Sequence, residues 1–379
     1  MRILFVSHIH PPAVDGGSKI IWKLRDYFQK NNHQTLSLAT NLFSTDDFVK
    51  PHPKINKLRQ NDLYLLPVHR LHRRLPKPVF RIISFIKFLV SCFRFRPDFI
   101  IAGPLPTSII SYAILIRFLT KSKLIFVPCF HQNDPEFTFP PIIKALRSID
   151  LICTLTQYEI SVLTKIYHLK SNNCFLLGAC VDRSFLIKKP TKPKKQNLLF
   201  LGNFAAHKQV ELLIKAFASL SPQYPNLTLT LAGQKTLYYP KILATIKKLP
   251  HSIQQKITIF PKLYSTSDLA HFLANCSIMV LPSIHESFGL VLIESLARGR
   301  PIIGANIKPV AELIGQTGGG LTFKPQSLSS LTKTIKKLLN SPKLCQKMAK
   351  TGHDYVQNHY TWDKIGDRLQ KQMGKPNIN

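Results

Sequence analysis

Two carboxylates eight positions apart are the best-placed reactive groups in the sequence: Glu286 in the loop HESFG and Glu294 in the run LVLIE that follows. If a helix begins near Gly289, Glu294 lies about five residues along it, roughly 7 Å further on. The helix N-terminus between them presents unpaired backbone N–H groups and a positive dipole end, which suits a phosphate. A carboxylate on either side would then accept hydrogen bonds from hydroxyls of a sugar and a ribose. From spacing alone, a helix-terminal acid and a solvated helix residue explain the same two positions.

Lys208, in the loop GNFAAHK, precedes an apolar helical run and is placed to neutralise a diphosphate. Among so many lysines it also reads as one more surface cation. Gly16 and Gly17 follow the first apolar run and permit close backbone approach to an anion or a sugar, or simply make a turn. His131, in PCFHQND, follows another apolar run and is a candidate polar group at a cleft; a structural histidine is the competing reading. No HExxH, GxSxG, Walker A or GxGxxG pattern occurs, nor a DxD triplet that would clamp a metal-bound diphosphate.

The elements that would position these groups alternate between short apolar runs and amphipathic stretches. ILFVS at 3–7, DFIIAG at 98–103, KLIFVP at 123–128 and LICTLT at 151–156 suit buried parallel strands. Between the first run and the next, Ile20, Ile21, Leu24, Tyr27 and Phe28 share a helical face, with Ser18 as the expected N-cap. TSIISYAILIRFL at 107–119 is a second helical pattern. KKPTKPKKQN at 188–197, apolar-free and rich in Lys and Pro, reads as a linker. The alternation then restarts with strands at 197–202, 227–233, 257–260 and 277–283 and helices at 210–220 and around SDLAHFLANC. LVLIESLARG ends at Gly299 with Pro301 beyond, PIIGAN is a further strand, and the tail from Ser329 to about Gln372 is helical. Two doubly wound α/β domains follow, and in such sheets ligands bind beyond the carboxyl ends of the strands.

Length and composition fit two globular domains: 379 residues, 45% hydrophobic. The formal charge of +33 bears on partners, not on fold: nucleic acid, an anionic membrane surface, anionic small molecules, or a general lysine bias all accommodate it. Seven scattered cysteines without a CxxC pair give neither a disulfide framework nor zinc-ligand spacing, and a reducing cytosol suits them. The opening MRILFVSHIHPP lacks the apolar core of a signal peptide, and the apolar run from Val79 to Phe93 is interrupted by Arg81 and Lys87, so no crossing segment is expected. The wider stretch VHRLHRRLPKPVFRIISFIKFLVSCFRFRP mixes basic and apolar residues, as an interfacial segment does, although a buried helix with basic flanks fits equally.

Together these stretches resemble the family 4 retaining glycosyltransferases, glycosyl transferases group 1, of the GT-B fold. SIMVLPSIHESFGLVLIESLARGRPIIG resembles the E-x7-E region of that family, and NLLFLGNFAAHKQVELLIKAF its strand, phosphate loop and helix. TQYEISVL and GACVDRSFL resemble its interdomain region, SHIHPPAVDGGS its N-terminal glycine loop, and YTWDKIGDRL its terminal helix. The resemblance implies two Rossmann-like domains facing across a cleft. An acceptor-side domain would span 1–187, a linker 188–197, a donor domain 198–355, and a helix 356–379 would cross back.

By the same resemblance, Glu286 would contact donor-sugar hydroxyls, Glu294 the ribose and Lys208 the diphosphate. The amides of Phe288, Gly289 and Leu290 would lie near sugar and phosphates, Gly16 and Gly17 would approach the diphosphate, and His131 would line the reaction centre. The implied reaction moves a hexose from a nucleotide-diphosphate sugar to a glycan or lipid-linked acceptor with retention, without a metal or other cofactor. A cytoplasmic location, peripheral on the inner membrane face, is expected. One departure matters: the family usually carries arginine directly after the phosphate-loop glycine, where this chain has Asn203, losing a bidentate phosphate partner. Two other functions remain open at this point, a sugar-nucleotide 2-epimerase of similar fold and a basic nucleic-acid-binding protein. The E-x7-E region disfavours the first. The lack of RRM, KH or zinc-finger patterns disfavours the second, so no nucleic-acid partner is expected.

Overall fold

The structure, a computed structural model, describes residues 1–8, 16–40, 63–66, 78–105, 109–130, 138–193, 195–262 and 264–375. His131 lies outside them, as does most of the basic stretch before Pro78.

The chain forms two compact units, Met1–Gly178 with Ile365–Asn379, and Ala179–Lys364. The first is built on a seven-stranded sheet of β1 (Arg2–Val6), β2 (Gln34–Thr40), β3 (Leu63–Leu66), β4 (Phe99–Ala102), β5 (Lys123–Phe126), β6 (Leu151–Thr154) and β7 (Cys174–Leu176). Its order is β3-β2-β1-β4-β5-β6-β7, every pairing parallel. The second holds β8 (Asn197–Leu201), β9 (Thr228–Ala232), β10 (Ile257–Phe260), β11 (Ile278–Leu281), β12 (Ile302–Ala305) and β13 (Gly320–Phe323). Its order is β10-β9-β8-β11-β12-β13, again all parallel. Both sheets are doubly wound, as the alternating runs predict. The strand order reverses between β1 and β4 in one sheet and between β8 and β11 in the other, and a crevice opens at such switch points.

Short apolar runs become strands because burial on both faces removes the need for polar alternation. β4, β6, β11 and β12 are buried at every position. Helix Gly16–Lys30 turns Ile20, Ile21, Leu24, Tyr27 and Phe28 into the core, as expected. Ser18, however, is not its N-cap. The helix begins two residues earlier, and the buried Ser18 hydroxyl accepts a hydrogen bond from Ser7 at 3.1 Å, with His8 Nδ1 3.4 Å away.

The basic segment 188–197 is not a free linker. The buried Arg300 guanidinium donates to the Thr191 carbonyl and, at 3.0 and 2.5 Å, to the Leu273 and Ala274 carbonyls that end helix Thr266–Asn275. Pro190 packs so closely on Gly299 that a Cβ there would lie 2.5 Å from the proline's own. These contacts strap the segment to the second unit, so the division falls after Gly178, earlier than Lys188. The return of the C-terminus to the first unit begins at Ile365, not at 356, because helix Pro342–His359 runs through that position. There the Tyr27 hydroxyl donates to Asp367 at 2.5 Å, and Arg368 donates to the Leu177 carbonyl at 2.8 Å. No helix among the described residues is long and apolar enough to cross a membrane.

Candidate functional site

The loops after β8 and β11 flank the switch point of the second sheet, and each carries one of the expected residues. After β8 the chain passes Gly202 and Asn203, makes a single 3-10 turn at Ala206–Lys208, and enters helix Val210–Leu220 through Gln209 in the left-handed conformation. Val210, Leu213, Ile214 and Phe217 bury one face of that helix, fixing its axis on the sheet. Lys208 is thereby held at the helix N-terminus, where no side chain caps the free amides.

After β11, residues Pro282–Ser287 lead into helix Leu290–Ala297 through Gly289, whose φ of +88° only glycine adopts readily. That helix too has no side-chain N-cap. Phe288 is buried and packs edge-on to Tyr360, with ring centroids 5.8 Å apart, which anchors the turn and leaves backbone as what it presents. Glu294, fifth in the helix, is 6% exposed, so the solvated-residue reading is excluded.

The two loops are joined twice. Ile284 N–H donates to the His207 carbonyl at 2.9 Å, and Lys208 Nζ donates to Glu286 Oε1 at 2.6 Å. The lysine and glutamate side chains are only 18% and 11% exposed. Burial opposes ionisation of Glu286, but the Lys208 charge and hydrogen bond, with Ser283 and His207 beside it, outweigh that and hold the carboxyl below the ordinary carboxylate range. A buried pair of this kind contributes little net stability, because desolvation cancels much of the attraction. Perturbed ionisation at a switch-point crevice instead marks a candidate binding site.

Asn203 is exposed on the same loop. Its neighbour Phe204 is fixed from the β9 side: Phe204 N–H donates to the Gln234 carbonyl at 3.0 Å, and Thr236 Oγ1 donates to the Phe204 carbonyl. Gly233 must be glycine, since a Cβ would fall 1.8 Å from the Gly202 carbonyl oxygen. Asn203 is therefore displayed from a rigid loop.

In the first unit, Gly16 and Gly17 open the helix after β1, beside the β1/β4 switch point. A Cβ on Gly17 would lie 2.8 Å from the Pro104 side chain and 3.2 Å from Cys129 Sγ. Close packing of the helix on the loops after β4 and β5 by itself requires glycine there. The segment preceding His131 is secured by Glu159, whose buried carboxylate accepts from Phe130 N–H at 2.8 Å and Leu155 N–H at 2.7 Å. Sequence reasoning did not single out Glu159. Its signal is the capping pattern TQYE, in which Thr156 caps the amide of Glu159 at 3.0 Å.

Residues 182–355 match the family glycosyl transferases group 1. Among curated relatives, an uncharacterized glycosyltransferase of Haemophilus influenzae is 26% identical over 209 residues, 54% of this chain and 56% of the relative. Glycogen synthase of Mycobacterium tuberculosis is 29% identical over 170 residues, 44% of this chain and 40% of the relative. The chain thus spans about half the length of the curated relatives it matches. Two solved structures share the fold along both whole chains. Sucrose-phosphate synthase from Thermosynechococcus elongatus has a TM-score of 0.73 at 16% identity, covering 98% of each chain. HepE of Anabaena, solved in complex with UDP, has a TM-score of 0.77 at 14% identity, covering 98% of this chain and 99% of that one. The fold is GT-B, two Rossmann-like units in one chain. The E-x7-E helix and the lysine loop both lie inside the span, 182–355, that is similar to the glycosyl transferases group 1.

Proposed function

We propose that the chain is a retaining glycosyltransferase that moves a hexose from a nucleotide-diphosphate sugar to a glycan or lipid-linked acceptor. The observation that carries this reading is the largely buried Lys208–Glu286 pair at the β8/β11 switch point, with Glu294 on the helix that follows. Lys208 and the first amides of helix Leu290–Ala297 supply positive potential where a leaving diphosphate gains charge. On donor binding the lysine exchanges the Glu286 carboxylate for a diphosphate oxygen. Glu286, freed from the lysine, accepts hydrogen bonds from the sugar hydroxyls and orients the reacting face. Glu294 accepts from the ribose hydroxyls. The acceptor hydroxyl attacks from the side the diphosphate leaves, its proton passing to a diphosphate oxygen, so the anomeric configuration is kept. Lys208 and these amides balance the leaving-group charge without a metal.

The donor class finds support in HepE, whose structures are described as complexes with UDP and with UDP-glucose. The E-x7-E helix favours transfer over 2-epimerisation. The test is proton NMR of the product formed from an α-linked nucleotide sugar and an acceptor glycan. An α-linked product supports the reading. A β-linked product, or an epimerised nucleotide sugar formed without acceptor, overturns it.

A further inference from the structure

The helices on one face of the first sheet carry a surface that the transferase site does not use. Helices Pro78–Phe95, Ile109–Thr120 and Pro140–Leu146 connect strands that step in the same direction across the sheet, and right-handed crossovers place them on one side. Their inward residues confirm this: Phe88, Cys92, Ile110, Ala113, Ile116, Ile143 and Leu146 belong to one buried cluster. Their outward residues are unusually apolar. Ile86, Val90 and Phe93, spaced as one helical face, are 52%, 45% and 49% exposed; on the next helix Leu115 and Phe118 are 42% and 81% exposed.

The charged residues that these three helices carry are all basic. Lys87 and Arg94 are exposed one step round the helix from Ile86 and Phe93, Lys121 follows Phe118, and Lys144 lies on the third helix. None of the three helices contains an aspartate or glutamate. Asp150 beside them is already bound by Arg117, at 2.7 and 2.8 Å. A solvated face ordinarily mixes both signs and avoids clustered phenylalanines. Apolar side chains among cations of one sign complement a bilayer interface, with acyl chains beneath and anionic headgroups at the same level.

We propose that this three-helix face docks on an anionic lipid bilayer, seating Phe93 and Phe118 below the headgroups and Lys87 and Arg94 among them. The expectation of an interfacial segment at 68–97 thereby widens to a surface shared with helix Ile109–Thr120. It requires no donor or acceptor, so it stands or falls apart from the transferase reading.

The test is co-sedimentation of the full chain with phosphatidylcholine vesicles, with and without phosphatidylglycerol, at low and physiological salt. Sedimentation is expected with the anionic vesicles only. The exposed-site double variant Phe93→Ser/Phe118→Ser should lose at least tenfold in binding at both salts with its melting temperature kept. Lys87→Gln/Arg94→Gln should lose about twenty-five-fold at low salt, roughly fivefold per cation. Equal sedimentation of wild type and both variants overturns the proposal. So does a dimer in sedimentation velocity that Phe118→Ser dissociates, which would make the face an interface between copies.

Discussion

Lys208 Nζ lies 2.6 Å from Glu286 Oε1, joining the loop after β8 to the loop after β11 across 78 positions of sequence. Burial disfavours the Glu286 carboxylate, and the adjacent lysine outweighs that and holds it below the ordinary carboxylate range.

Removing one member should therefore expose the other. Lys208→Ala is expected to lower stability by about 2 kcal/mol, under the range for fully buried pairs because both side chains keep some exposure. Lys208→Ala/Glu286→Gln should recover part of that loss. Urea denaturation of the two single variants and the double variant measures the coupling, and additive losses would show the pair to be incidental.

The pH dependence has a definite sign. In the folded protein the Glu286 carboxyl is held low, after burial has been outweighed by Lys208, so its ionisation favours the fold. That contribution is fully present above the ordinary carboxylate range and is lost as pH falls through the folded value. In Lys208→Ala burial prevails and the carboxyl rises above the ordinary range, so the variant's ionised form opposes folding near neutrality. Carbon-13 NMR titration of the Glu286 carboxyl should move upward on this substitution; no movement would deny that Lys208 sets it.

How much of this was legible in the sequence depended on how far apart the partners lie. Contiguous apolar runs such as FIIA, KLIF and ITIF became strands within a residue or two of the expected limits. β2, with polar Gln34, Thr35 and Ser37, and β13, opening on Gly320, lacked that signature. They are strands because their neighbours pair with them, a tertiary cause. Glu286, Glu294 and Lys208 were each visible by type and local spacing. That Lys208 and Glu286 meet was not, since only the β8-β11 adjacency brings them together. Arg300 gave no signal at all: its role depends on carbonyls ending a helix some 25 positions earlier and on the strap at Thr191.

Asn203 is exposed on a loop fixed at Phe204, so a longer side chain fits there without strain. Asn203→Arg should tighten nucleotide-diphosphate binding about tenfold by adding a bidentate phosphate partner. Isothermal titration of UDP, GDP and ADP against both proteins checks this. Unchanged affinity would mean that the diphosphate lies elsewhere.

The role proposed for Glu294 is narrower. Glu294→Ala should weaken nucleotide-diphosphate affinity about ten- to hundredfold, the range for a hydrogen bond to a charged group. The loss should be smaller for a 2′-deoxyribose nucleotide. Equal losses for both sugars would remove Glu294 from the ribose.

Glycine at 289 serves conformation. Gly289→Ala is expected to cost about 1–2 kcal/mol through its left-handed φ, with Leu292 Cδ1 only 3.1 Å from the added Cβ. Chemical denaturation reads the loss, and a neutral effect would mean that the turn relaxes.

The central claim is a nucleotide-sugar site at the β8/β11 switch point. Thermal unfolding of the purified chain with UDP-, GDP- and ADP-sugars tests it most directly, repeated with Lys208→Ala and Glu294→Ala. One nucleotide class should raise Tm by about 5–10 °C at a hundredfold excess over Kd, and both variants should lose that rise. A rise that survives in both variants, or none with any nucleotide sugar, would contradict the account.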